Sequence, residues 1–211
     1  MATPAVLALR CAWSRLRSLR ADLADLRRQA THDALTGLLN RAGFTDRATA
    51  LVASPPVALV VALVDLDGFK QINDQYGHGV GDVALMATAG HLRRVCGPDG
   101  FASRLGGDEF VVVLPATEAG ERLTAISHGL RVQVTDDVTV TVAGSVGAAF
   151  VTAPADLTTV LAHADAAMYR AKQAGGGVAF HDAARDDDTA TARPLVRTRD
   201  LSAVPVLKAV A

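Results

Sequence analysis

The sequence has almost no cysteine: Cys11 and Cys96 are the only two in 211 residues, and they form neither a CxxC pair nor a Cys/His cluster. That excludes a disulfide framework and a cysteine-ligated zinc site, and it fits a reducing compartment in which both thiols are isolated. There is no excess charge of either sign. A formal net charge of −1 leaves no global basic field to hold nucleic acid or an anionic membrane, so any polyanion must be bound at a local site and DNA is not an expected partner. A long apolar run is also missing. Residues 1–9 are apolar but are followed by Arg10, Arg15, Arg17 and Arg20, which cut short the ~20 apolar residues a membrane span requires. The basic-then-apolar order of a signal peptide is absent too, so the chain reads as cytoplasmic with no membrane span. Lysine is scarce beside arginine, a coding bias without functional weight. Half of the residues are hydrophobic, enough for one full core with extensions on either side.

Between residues 9 and 30 the apolar positions Leu9, Ala12, Leu16, Leu19, Leu23, Leu26 and Ala30 follow a 3,4 rhythm, with Arg15, Arg17, Arg20, Asp22, Asp25, Arg27 and Arg28 between them. This is a heptad seam about three heptads long. It predicts a two-stranded coiled coil over residues 1–30. A single amphipathic helix folded back on its own domain is the competing reading, and Asp22 and Asp25 weigh against a membrane-surface helix.

A globular unit over residues 31–182 follows. Residues 57–64 form a nearly continuous apolar run, the pattern of a central strand buried on both faces. Helices are predicted over 69–76, 83–95, 117–132 and 157–174. Short strands are predicted over 101–105, 110–114, 138–142, 145–151 and 178–181, the first two forming a hairpin with Gly106, Gly107, Asp108 and Glu109 at its tip. The expected fold class is α/β of the α+β kind, a mixed central sheet surrounded by helices. Residues 183–211, rich in Ala, Asp, Thr, Arg and Pro, read as a flexible tail in which residues 204–210 could still dock.

Asp65, Leu66 and Asp67 end the most buried strand. Carboxylates there are costly unless paired or bound to a hard cation such as Mg²⁺. If the hairpin lies beside that strand, Asp65 and Asp108 can flank one or two metal ions and serve in-line attack at a phosphate. Gly-Gly-Asp is equally ordinary turn chemistry, and taken alone the tip leaves both readings open.

The stretch 104–110 (RLGGDEF) resembles the signature of the GGDEF family of diguanylate cyclases. The resemblance extends to residues 33–41 (DALTGLLNR), 65–74 (DLDGFKQIND), Gly77 with His78, Gly81 with Asp82, 145–147 (SVG) and 165–172 (DAAMYRAK), in the family's order and spacing. It implies a palm-like nucleotide cyclase fold that condenses two GTP molecules into cyclic di-GMP with release of pyrophosphate, using Mg²⁺ or Mn²⁺. Asp65, Asp108 and the Leu66 carbonyl would hold the metal. Asp108 would also accept the proton of the attacking 3′-hydroxyl, and Glu109 would support the metal site or the ribose. Backbone N–H groups around residues 68–70, with Phe69 and Lys70, would cradle the phosphates at a helix N-terminus. Lys70 and Lys172 would add positive charge, although a lysine such as Lys172 on a helix is by default a solvated one. Asn73 and Asp82 would read the base; a carboxylate accepts from the N–H donors of guanine and repels adenine, which offers an acceptor there. His78 would lie near that pocket or serve structurally, and Asp33 and Arg41 would be scaffold salt-bridge or capping residues. Each domain would hold one GTP, so the enzyme would act as a homodimer, with the coiled coil raising the effective concentration of its two domains. A sensor or effector protein acting through the N-terminal helix is the expected further partner. Three other functions are set against this one: an inactive module that binds GTP or cyclic di-GMP, an interaction protein that recruits through its coiled coil, and a cyclase of altered base choice, which Asp82 disfavours.

Two positions depart from the family. The usual Gly-Arg-Asn after the last helix is Gly175, Gly176, Gly177, so an arginine expected to contact phosphate is replaced by Gly176. The inhibitory Arg-x-x-Asp motif is replaced by Gly97, Pro98, Asp99 and Gly100, which leaves no guanidinium to grip a product phosphate or base and hence no inhibitory site. Titration of the purified protein with cyclic di-GMP is expected to show no binding at this surface, and micromolar affinity there would contradict the assignment.

Overall fold

The apolar run after residue 57 forms the middle strand of a five-stranded sheet, and its parity explains why it looks continuous. The computed structural model describes residues 4–135 and 138–190. In β1 (Leu59–Leu66), Val60, Ala62, Val64 and Leu66 enter one core while Leu59, Val61 and Leu63 enter another on the opposite face. Strand side chains alternate between faces, so a strand covered on both sides has no polar half. Val57 lies before the strand and is exposed.

The remaining elements are α1 (Pro4–Thr31), α2 (Arg41–Ala53), α3 (Phe69–Tyr76), α4 (His78–Cys96), β2 (Phe101–Gly106), β3 (Glu109–Pro115), α5 (Ala119–His128), β4 (Leu130–Gln133), β5 (Thr139–Val142), β6 (Gly144–Val151), α6 (Leu157–Gln173), β7 (Gly177–Phe180) and α7 (Ala183–Ala190). The sheet order is β2-β3-β1-β6-β7, antiparallel except for the parallel β6–β7 pair. It is the mixed sheet with surrounding helices that the sequence predicts. Residues of α4 and α5 contribute to one core, residues of α2 and α6 to the other. At Gly147 of β6 a Cβ would meet the Met168 backbone nitrogen at 2.0 Å and the Ala164 carbonyl oxygen at 2.2 Å. Only the absence of a side chain there lets α6 lie directly on the sheet. Cys96 is buried, and desolvation pushes its thiol up to about 12, so it is unreactive.

Several expectations need correction. The helix predicted over 117–132 ends at His128, because Leu130 to Gln133 alternate about a buried Val132 and pair with β5 in a separate two-stranded sheet. The helix predicted from residue 83 begins at His78. Helix α2 is an element the sequence reading did not assign.

Helix α1 meets the domain through α2, and its seam residues Leu16, Leu19, Leu23 and Leu26 are exposed, as is Trp13. The helix is therefore not folded back on its own domain. The side chains of Leu9, Cys11 and Ala12 lie outside the described residues. Among the described residues no helix is long and apolar enough to cross a membrane.

The predicted tail begins as helix α7. Arg170 of α6 donates from Nε and Nη2 to the Asp186 carboxylate, and from Nη2 to the Phe180 carbonyl. Asp186 is 1% exposed and also accepts the Asp182 N–H at 2.8 Å. A run of aspartates that looks solvated thus contains one buried, paired member; the tail reading for residues 191–211, including the apolar 204–210, lies outside the described residues. Burial opposes ionisation of Asp186, but the Arg170 hydrogen bond, the Asp182 N–H and the nearby positive charge together outweigh it and hold the carboxyl below the ordinary aspartate range. Asp186→Ala is expected to cost about 2 kcal/mol near neutral pH. A depressed carboxyl stabilises above its unfolded value and loses that contribution as pH falls through the folded one. The difference in melting temperature between the two proteins should therefore narrow below about pH 4.

Candidate active site

Period two also decides where the acids point. Asp65 follows Leu59, Val61 and Leu63 onto the α2/α6 face, and Glu109 shares that face with Val111 and Val113. The two lie opposite each other in the β1–β3 ladder. Asp108 sits in the turn just before β3, its carbonyl accepting the Leu66 N–H at 3.3 Å. Strand pairing thus brings Asp65, Leu66, Asp108 and Glu109 together as the sequence predicts.

Cations reach this cluster from the two helices on the same face. Lys172 of α6 places Nζ 2.8 Å from Asp65 Oδ1, so it is an ion-pairing residue of the site rather than a freely solvated lysine. Arg41, the first residue of α2, places Nη2 4.0 Å from Glu109 Oε2. Arg41 thus touches a site residue, beyond the scaffold role expected of it. Burial pushes the Asp108 carboxyl above the ordinary range, and the charge of Asp65 adds to this against the pull of Lys172 and Arg104. Burial likewise raises Glu109, opposed by Arg41 and reinforced by Asp65 and Asp108. The cluster holds more negative charge than it can comfortably keep, which is the condition under which a cation binds.

The turn is fixed by a residue to which the sequence reading gave no role. Arg104 donates from Nε and Nη2 to the Gly107 carbonyl at 2.9 and 2.8 Å, and from Nη1 to both oxygens of Asp33 at 3.1 and 3.2 Å. Asp33 is the scaffold residue expected: it also accepts the N–H and hydroxyl of Thr36. Burial disfavours its charge, but the Thr36 and Arg104 bonds together hold it below the usual aspartate range. The clue available in the sequence was Arg104's place inside the signature, two residues before Gly106.

On the other side of β1, Gly68 has φ 71° and caps α3 without a side-chain bond, leaving the first-turn N–H groups of Phe69 and Lys70 without helical partners. Lys70 is exposed and makes no ion pair among the described residues. The Asn73 side chain lies against Gly81, where a Cβ would fall 2.0 Å from its Oδ1, and Asp82 follows, exposed on α4. Asn73 and Asp82 are brought together by the α3–α4 contact, whereas His78 is exposed at the first position of α4. Asp67 accepts the Ser145 hydroxyl at 2.7 Å and lies beside Gly176.

The residues present fit a magnesium site. Among the described residues no group of three or more His, Cys, Asp or Glu side chains has metal-holding geometry. Asp65, Asp108 and one carbonyl would be a partial shell, which suits Mg²⁺ because that ion keeps waters and takes substrate phosphates as ligands. The Lys172 ammonium already stands as a cation against Asp65.

The family described as diguanylate cyclase, GGDEF domain, matches residues 30–177. A 19.3 kDa Streptomyces ambofaciens protein from the repSA 5′ region is 48% identical over 147 residues, covering 68% of this chain and 79% of that protein. Diguanylate cyclase DgcP of Pseudomonas aeruginosa is 38% identical over 177 residues, covering 75% of this chain but only 25% of DgcP. The crystal structure of the coiled coil and GGDEF domain of DgcB from Caulobacter crescentus in complex with c-di-GMP matches with a TM-score of 0.71 at 31% identity, covering 84% of this chain and 100% of that one.

If Arg104 sets the turn, Arg104→Met should raise amide exchange at Gly107 and Asp108 by about tenfold or more, with the core of β1 unaffected. Exchange unchanged at both positions would show that the hairpin holds its own shape.

Proposed function

The chain belongs to the GGDEF family, and we propose that it is a diguanylate cyclase that condenses two GTP molecules into cyclic di-GMP and pyrophosphate, dependent on Mg²⁺ (or Mn²⁺) and acting as a homodimer in the cytoplasm. The observation that carries this is the Asp65/Asp108 pair, one near the end of β1 and the other in the turn before the neighbouring β3, with cations on one side and an uncapped helix N-terminus on the other.

The first-turn N–H groups of α3 and Lys70 bind the triphosphate, where the helix dipole favours negative charge. Asn73 and Asp82 orient guanine, the carboxylate accepting its N–H donors. Mg²⁺, held by Asp65, Asp108 and the Leu66 carbonyl, would neutralise charge at the phosphates. Asp108 accepts the proton of the 3′-hydroxyl as that oxygen attacks the α-phosphorus of the other nucleotide and pyrophosphate leaves. In the metal-free site burial raises this carboxyl, and Mg²⁺ on the same group would counter that rise and keep it ionised to receive the proton. Glu109 supports this end of the site through Arg41. The exposed heptad seam of α1 favours pairing with a second copy, which supplies the second GTP, and leaves the helix open to a sensor or effector.

A second reading, an inactive nucleotide-binding module, is favoured by the turn after α6. Gly175, Gly176 and Gly177 all have positive φ, and at Gly176, where relatives carry an arginine, a Cβ would sit 3.4 Å from Asp67 Oδ2. No cation reaches the phosphates from there.

Purified protein incubated with GTP and Mg²⁺ should yield cyclic di-GMP and pyrophosphate on chromatography. Asp108→Ala should lower the rate about 100-fold or more, and Leu23→Asp should give monomers whose rate per chain rises with protein concentration. GTP binding without turnover in a confirmed dimer would favour the module.

A further inference from the structure

On the face that carries Asp65 and Glu109, α2 and α6 do not close completely over the strands. Between them lies a cleft of about 170 Å³, floored by Leu63 and Leu105, walled by Leu157 and Leu161, and rimmed by Arg41 and Thr49. A smaller void of about 20 Å³ shares Leu63 and Leu105 with it and continues beneath the signature hairpin to Glu109. Neither space belongs to the phosphate and base positions on α3 and α4. An apolar cavity of about 150 Å³ is enough to hold one benzene ring, so the main cleft accommodates a body of that size.

The polar rim limits what that body carries. Arg41 already faces Glu109. Asp156 accepts the Thr159 N–H at 3.1 Å as the cap of α6, and Asp165, also on the rim, has an interaction of its own. The Thr45 hydroxyl donates to the Arg41 carbonyl at 2.9 Å. The rim carries both signs, Arg41 against Asp156 and Asp165, so a charged ligand would meet a like charge as well as an opposite one and give up its hydration for little gain, which disfavours it. The hydroxyls of Thr49 and Thr158 can each exchange a hydrogen bond with a neutral polar group.

The geometry points to a binding site between α2 and α6 for an uncharged single-ring aromatic alcohol, of the phenol class, whose ring lies on Leu63 and Leu105 and whose hydroxyl meets the threonine rim. Because Arg41 forms part of that rim and the floor runs on to Glu109, a molecule bound there bears on the Arg41–Glu109 contact. Binding stands on the cleft alone; its effect on turnover rests on the cyclase reading above.

The test is a fluorine NMR titration of the full chain with 4-fluorophenol. Saturable binding is expected, with nuclear Overhauser contacts from the ring to the methyls of Leu105 and Leu161. Ala162→Trp, which fills the cleft from α6, and Thr49→Phe, which fills it from the exposed side of α2, should each weaken binding about tenfold or more while melting as the parent does. No saturable binding to the parent, contacts to other methyls, or equal affinity in folded forms of both variants would overturn the site. At saturating 4-fluorophenol, GTP turnover should change in the parent and not in Thr49→Phe; binding with an unchanged rate would overturn the link to Glu109 and leave the site standing, and binding in a protein without turnover would count against the cyclase reading alone.

Discussion

The structure depends on holding three half-buried carboxylates, Asp65, Asp108 and Glu109, at the ends of two adjacent central strands. Burial and the charge of neighbouring carboxylates favour the neutral forms of Asp108 and Glu109, both of which are raised. The fold answers by bringing a cation from each helix on that face. Lys172 reaches Asp65 because Gly147 lets α6 lie on β6 without an intervening side chain, and Arg41 reaches Glu109 because it opens α2. A bulkier residue at 147 would therefore act on the site at a distance, by lifting the helix that carries its lysine.

The end of α1 is tied to the same cluster by short steps. Asn40 donates from Nδ2 to the Ala30 carbonyl at 2.9 Å, and its Oδ1 accepts the Gly43 N–H at 3.0 Å, so one side chain closes α1 and caps α2. The next residue is Arg41. On the other branch, Asp33 follows the last turn of α1 and pairs with Arg104, which holds the Gly107 carbonyl. Both branches end on the signature hairpin, so the helix that carries the exposed heptad positions and the turn that offers the acids form one connected piece.

What could be read from the sequence was whatever a local pattern encodes. The two-faced strand and the hairpin each occupy one short stretch, and each lies within two residues of where it was expected. Helix α2 also had a local pattern, with Phe44, Ala48, Leu51 and Val52 at helical spacing behind the cap Asn40, but its low contrast beside the apolar strand left it unassigned. The ion pairs were another matter. Arg104 and Asp33 are 71 residues apart, and nothing in either neighbourhood marks the other. Asp186 shows the same limit: a string of aspartates reads as solvated until a partner on another helix is known.

The departure at Gly176 has its weight set by these pairings. The triglycine turn is held at φ of 90°, 110° and 94° and offers no cation, so in the cyclase reading positive charge for a triphosphate would fall to Lys70 and Lys172. Lys172 is already engaged by Asp65. An ammonium cannot neutralise a phosphate and a carboxylate at full strength together, so its release requires another cation on Asp65. In the cyclase reading, filling the metal position and freeing Lys172 for the nucleotide are one event, and this chain depends on that coupling more heavily than a relative whose arginine waits at the phosphates.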